Sequence, residues 1–86
     1  MDKNDQLFFQ LIYIFQASAM QALGKIKNPV TDAIERDLPQ ANQAIEMLEM
    51  IREKTKNNIS KDMERLLDTS ISELKLNYVD EVNKQS

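Results

Sequence analysis

From Gln6 to Gly24 nineteen residues pass without a charge, and thirteen of the seventeen from Leu7 to Leu23 are apolar. At about 100° per residue, Gln6, Gln10, Tyr13, Ala17, Gln21 and Gly24 fall on one strip. The rest of the stretch is apolar apart from Gln16 and Ser18. The apolar girdle therefore covers roughly two thirds of the circumference, where a surface helix needs a stripe of about 100°. This pattern predicts a helix over 5–23, buried on more than one side. Asn4 or Asp5 would cap its free N–H groups. Gly24, the single glycine of the chain, stands where a left-handed C-cap needs one.

Residues 24–36 read as a connector. Asn28-Pro29 is a turn signal, and Thr31 is placed to cap a short turn through Ile34. The 3.6-residue period then returns over 38–56. Asp37 with Gln40 forms a capping box, and Pro39 sits in the first turn, where its missing N–H is no loss. Ala41, Ala44, Ile45, Leu48, Ile51 and Thr55 share one face, with Glu46, Glu49 and Glu53 outside. Met50 lies opposite that face and Met47 at its edge. Arg52, Lys54 and Lys56 crowd the end that the helix dipole makes negative. Asn57-Asn58 accepts the left-handed turn.

Ser60 caps a third helix over 61–80. Its inner face carries Met63, Leu66, Leu67, Ser70, Ile71, Leu74 and Tyr78; Leu76 and Val79 fall off it, and Asn83 to Ser86 are expected to fray. The short link between the second and third helices predicts an antiparallel hairpin. The fold class is all-α: one three-helix domain over 1–86, with a long apolar first helix packed on that hairpin.

Composition narrows the function classes. A chain of 86 residues buries roughly 60–65% of its unfolded surface and tends to need support from disulfides, metals or oligomerisation. Cysteine and histidine are both absent. Disulfides, thiolate nucleophiles and zinc-finger ligand sets are thereby excluded, and so is the usual neutral-pH acid–base residue. Oligomerisation is the support that remains. The lack of cysteine suits a reducing cytoplasm. A formal charge of −3 gives no global attraction to nucleic acid or anionic lipid. The apolar run itself is a poor membrane span, because Gln6, Gln10, Gln16 and Gln21 interrupt it. Ala17-Ser18-Ala19 matches a small-residue signal cleavage site, but Asp2 and Asp5 against Lys3 leave no positive leader region.

One stretch carries a family likeness. The run Asp37-Leu38, Ala41, Ile45, Leu48, then Glu53-Lys54-Thr55-Lys56-Asn57-Asn58-Ile59-Ser60 resembles the small bacterial family known as domain of unknown function 1844. Similar features flank it: Leu23-Gly24 closing an apolar first helix, and Leu66-Leu67, Leu74 and Tyr78-Val79 in the last. The resemblance covers residues 6–80. Asn57 stands where the family usually has glycine, and asparagine still permits a positive φ. The resemblance implies an intracellular helical domain with no established activity, and it carries over no catalytic or binding residue.

Candidate chemistry is sparse. Thr55 between two lysines invites an anion-site reading, yet no glycine-rich loop precedes a helix, and the hydroxyl can bond back to a helix carbonyl instead. Arg52, Lys54, Lys56, Lys61 and Arg65 surround the hairpin turn, with Glu53, Asp62 and Glu64 interleaved. Their excess of two positive charges makes them the candidate anion or nucleic-acid contacts. Glu46, Glu49 and Glu53 face outward and lack the histidines of a bundle di-metal site. No acid falls on a predicted apolar face, where burial would raise its pKa. No catalytic residue, metal or cofactor is assigned. What remains is self-association through the first helix, with Phe8, Leu11, Phe15, Ser18, Ala19 and Ala22 as the candidate interface. The expected partner is a second copy in a homodimer or higher symmetric oligomer; another protein or a membrane surface is the alternative occupant.

Overall fold

A computed structural model of the chain describes residues 2–85. Three helices account for most of it: α1 (Lys3–Ala22), α2 (Leu38–Lys54) and α3 (Lys61–Gln85). They run up, down and up. The start of α1 lies beside the α2–α3 turn, where Asp5 and Phe8 border the same depression as Asn58, Ile59 and Ser60. Its end meets the start of α2, where the Asp37 N–H donates to the Ala22 carbonyl at 2.8 Å. The bundle measures 40 × 27 × 15 Å.

α1 begins earlier than its pattern predicts. Asp2, not Asn4 or Asp5, is the N-cap, and its carboxylate accepts from the Asp5 N–H at 2.7 Å. The far end follows expectation. Gly24 holds φ +80°, and Gly24 and Lys25 donate to the carbonyls of Gln21 and Met20. This paired arrangement is a Schellman cap. The connector holds no helical turn. The Asn28 carboxamide accepts from the Val30 N–H at 2.8 Å, and a β-bridge joins Asn28 to Ala33. Thr31 donates its hydroxyl to Glu35 instead of capping a turn.

In α2 half of the expected capping box is made: the Asp37 carboxylate accepts from the Gln40 N–H. The other half is not formed, because the Asp37 N–H is already bound to α1. The helix stops at Lys54, two residues short of its predicted end. The Thr55 hydroxyl turns back on the Ile51 carbonyl at 2.7 Å, and Asn57 takes φ +63°. Ser60 Oγ accepts from the Met63 N–H and opens α3. α3 continues five residues past its predicted end, through the positions expected to fray; Ser86 lies outside the described residues.

The core takes Ile12, Ala19 and Ala22 from α1 and Leu23 from its C-cap. From α2 come Leu38, Ala41, Ala44, Ile45, Leu48 and Ile51, and from α3 Leu67 and Leu74. Phe8, Phe15, Met20, Leu66, Ile71 and Tyr78 pack around it. α1 makes its larger contact with α2. The buried alanines on both helices leave room for that close approach. Toward α3, the Ser70 hydroxyl donates to Gln16 Oε1 at 3.1 Å. Gln16 thus interrupts the apolar girdle and still faces inward.

Candidate interaction surface

Two neighbours cover only part of the girdle of α1. Leu7, Phe9, Leu11, Tyr13 and Ile14 remain 51, 43, 39, 62 and 61% exposed. They lie on one side of the helix, together with exposed Gln6 and Gln10, and the only charge on that side is Lys3 in the first turn. Phe9, Gln10, Tyr13 and Ile14 line a shallow depression there. The six residues expected at a self-association interface divide differently. Ala19 and Ala22 are 0 and 5% exposed, inside the chain's own core. Phe8 and Phe15 pack against that core, and Ser18 is half-buried beside Met47 and Ala44 of α2. Leu11 alone among the six lies on the open side. The small residues that would allow a close approach by another copy are used instead to bring α2 in.

The basic residues of the hairpin turn also divide. Arg52 is committed to α3: its Nε lies 2.6 Å from Asp68 Oδ1, and one terminal nitrogen 3.4 Å from Glu64. The hydrogen bond to Asp68 raises its pKa. Arg65 reaches Asp62 at 4.0 Å. Lys54, Lys56 and Lys61 are exposed and pair with no described residue. Five cations therefore do not converge into one anion site. Among the described residues no group of three or more acids is placed to hold a metal ion, and no helix is long and apolar enough to cross a membrane.

A third cluster lies at the opposite end of the bundle. Glu81 is 6% exposed. Its Oε2 lies 2.8 Å from Lys25 Nζ and 2.9 Å from Lys84 Nζ, and its Oε1 3.4 Å from Arg36 Nε. Arg36 also donates to the Glu81 carbonyl. The hydrogen bonds from Lys25 and Lys84 hold the pKa of the Glu81 carboxyl at about 2, against the opposing effect of burial. The same bond raises the pKa of Lys84. Two cations of the connector thus grip the last turns of α3.

At the hairpin turn, Thr55 closes α2, Asn57 reverses the chain and Ser60 opens α3. The residues that carry the family likeness form one geometric unit. The chain belongs to the family described as Domain of unknown function (DUF1844), matched over residues 5–80. The DUF1844 match spans all three helices and both links, and its description names no activity. No curated protein and no solved structure matches the chain. Glu81 and Lys84 lie just past the matched DUF1844 residues. Sequence reasoning misses this cluster because the apolar face of α3 ends near Tyr78. A signal is nevertheless present: Glu81 is seven residues after Leu74, on the same buried stripe as Leu67.

Proposed function

We propose that this chain is a non-enzymatic interaction module, working in a reducing compartment, that associates with a second copy through the outer side of α1. The observation that carries this reading is the exposure of five large apolar side chains on one side of α1, which carries no charge beyond Lys3 in its first turn, after the three helices have packed. Fully covering a large apolar side chain contributes about 1.5–3 kcal/mol. These five are already about half covered, so two copies gain roughly 10 kcal/mol gross, against an association cost of about 4–15 kcal/mol. The balance corresponds to a weak, reversible pair.

The test is solution mass by light scattering after size exclusion, from low to high micromolar concentration. The wild-type chain is expected to gain mass with concentration. Ile14→Glu places a charge on the open side and is expected to keep helicity while remaining monomeric. A wild-type chain that stays monomeric and folded throughout overturns the reading.

A further inference from the structure

No residue from Gly24 to Asp37 is buried, so the connector adds nothing to the core. Its own hydrogen bonds are local: the Asn28 and Asp32 N–H groups donate to the Ala33 and Asn28 carbonyls, and the Asn28 carboxamide accepts from Val30. What fastens it to α3 is a pair of cations near its two ends, Lys25 and Arg36, both on the Glu81 carboxylate. The end of α3 mirrors this. Past Leu74, Glu81 is the one buried residue among those described, so the last turns have little apolar burial of their own. Lys84 also reaches Glu81, but it belongs to α3 and cannot tie one segment to the other. We infer that the connector and the last turns of α3 are a conformational device that opens and closes as one unit, pinned by Glu81, while the rest of the bundle stays folded.

Segments with few buried apolar contacts open more readily than the domain unfolds. Here the cost of opening only one of them couples the two. If the connector lifts alone, Glu81, 6% exposed, loses both cross-links and stays against the bundle with Lys84 as its remaining cation. If the end of α3 unwinds alone, Lys25 and Arg36 are left without their shared acid. Breaking a buried ion pair from one side is costly because the other charge stays desolvated. With both segments open, every one of these side chains is solvated, so the half-open states are the disfavoured ones. The unit has clear limits. At the connector's far end the Asp37 N–H is bound to the Ala22 carbonyl, and from Leu38 onward α2 is anchored in the core. In α3 the limit is Tyr78, which packs against the core. Regions of low local stability are the ones that a partner can remodel without unfolding a domain. The exposed apolar residues of α1 take no part, so the inference is independent of the self-association proposed above.

Native-state hydrogen exchange of the full chain, read amide by amide, tests this. In the wild type the Asn28 and Asp32 amides and those of Glu81 and Val82 are expected to share one opening constant, at least about tenfold larger than that of Leu48 and Leu67. Asn28→Ala removes the side-chain bond to Val30 and touches none of the ion pairs. It is expected to raise the shared constant about fivefold in both segments. In a Glu81→Gln background the pin is gone, and adding Asn28→Ala is expected to speed the connector alone. If Glu81→Gln fails to fold, Lys25→Met with Arg36→Met cuts both cross-links and leaves the carboxylate to Lys84, with the same expectation. Four results overturn the inference. Asn28→Ala could speed only the connector in the otherwise wild-type chain, so that the segments open separately. It could speed both segments after the cross-links are cut, so that something other than Glu81 couples them. Leu48 and Leu67 could share the constant of the other amides, which leaves no separate unit. The connector amides could lack protection in the wild type, which leaves nothing pinned.

Discussion

Lys25 Nζ lies 2.8 Å from Glu81 Oε2, a contact that closes a loop of 56 positions between the connector and the last turns of α3. Arg36 approaches the same carboxylate, so the cap of α1, the approach to α2 and the end of α3 share one buried anion. The pKa of the Glu81 carboxyl is lowered from 4.5 to about 2 in the folded chain. The unfolded chain therefore binds the proton more readily, and stability falls as protons are added. The contribution of Glu81 is fully present above pH 4.5 and is lost as pH falls toward 2. Glu81→Gln is expected to lower the denaturant midpoint at pH 7 and to flatten the acid limb between those values. Urea titrations across that range check it; an acid limb identical to the wild type would remove Glu81 as its source.

Gly24 sits at φ +80°, and an added Cβ would meet Arg36 Cβ and Ile34 Cγ2 at 3.6 Å, ordinary van der Waals contact. The expected cost of Gly24→Ala is therefore conformational and not steric, about 1–2 kcal/mol. Gly24→Asn should recover part of that loss, since asparagine tolerates the left-handed region better. Equal stability of the alanine variant and the wild type would mean that the Schellman cap is dispensable.

Leu48 is buried at the centre of α2, while Met50, two residues on, is exposed. Leu48→Ala is expected to cost about 2–5 kcal/mol through lost burial and the cavity left behind. A domain of this size has roughly 4–13 kcal/mol in total, so the loss is a large fraction. Met50→Ala should stay within about 0.5 kcal/mol. Thermal or urea unfolding of the two variants side by side measures the difference.

Much of this architecture is legible in the residue pattern, and the failures have physical causes. Leu48, Asn57, Ser60 and Gly24 each have a strictly local reason for their roles, so spacing and turn chemistry locate them. Asp2, Asn4 and Asp5 can all cap a helix, and local rules do not choose between them. Glu81 continues the spacing of Leu67 and Leu74, but the partners that hold it, Lys25 and Arg36, are distant in sequence and have no periodic signature. The girdle of α1 is too wide for a surface helix, and the pattern says so. Which part of it stays open depends on where α2 and α3 settle, and adjacent residues of similar character end up on opposite sides.

Phe15 and Ile14 show that division and permit a direct test. Phe15 packs against the core, while Ile14 is 61% exposed. Phe15→Glu puts an unpaired charge against the core and is expected to abolish cooperative unfolding. Ile14→Glu is expected to retain the far-ultraviolet signature of the bundle. If Phe15→Glu instead kept the helices and only lowered the mass, the intermolecular role that the residue pattern suggests for Phe15 would be restored.

The self-association proposed for α1 would also have a thermodynamic signature independent of mass. A folded chain that binds a second folded copy is stabilised by mass action, so its unfolding midpoint depends on concentration. Above the dissociation constant the free folded chain rises only as the square root of total concentration, so each tenfold rise adds about 0.7 kcal/mol per chain to the apparent stability. For a domain of this size that corresponds to a rise of several degrees in Tm, at about 4–8 °C per kcal/mol. Wild-type Tm is expected to climb in this way across the micromolar range. Ile14→Glu keeps the intramolecular core and loses the second copy, so its Tm should not move with concentration. The two curves should meet at high dilution, where both proteins are single chains. A wild-type Tm that stays flat across the range would leave Leu7, Phe9, Leu11, Tyr13 and Ile14 uncovered by any second copy.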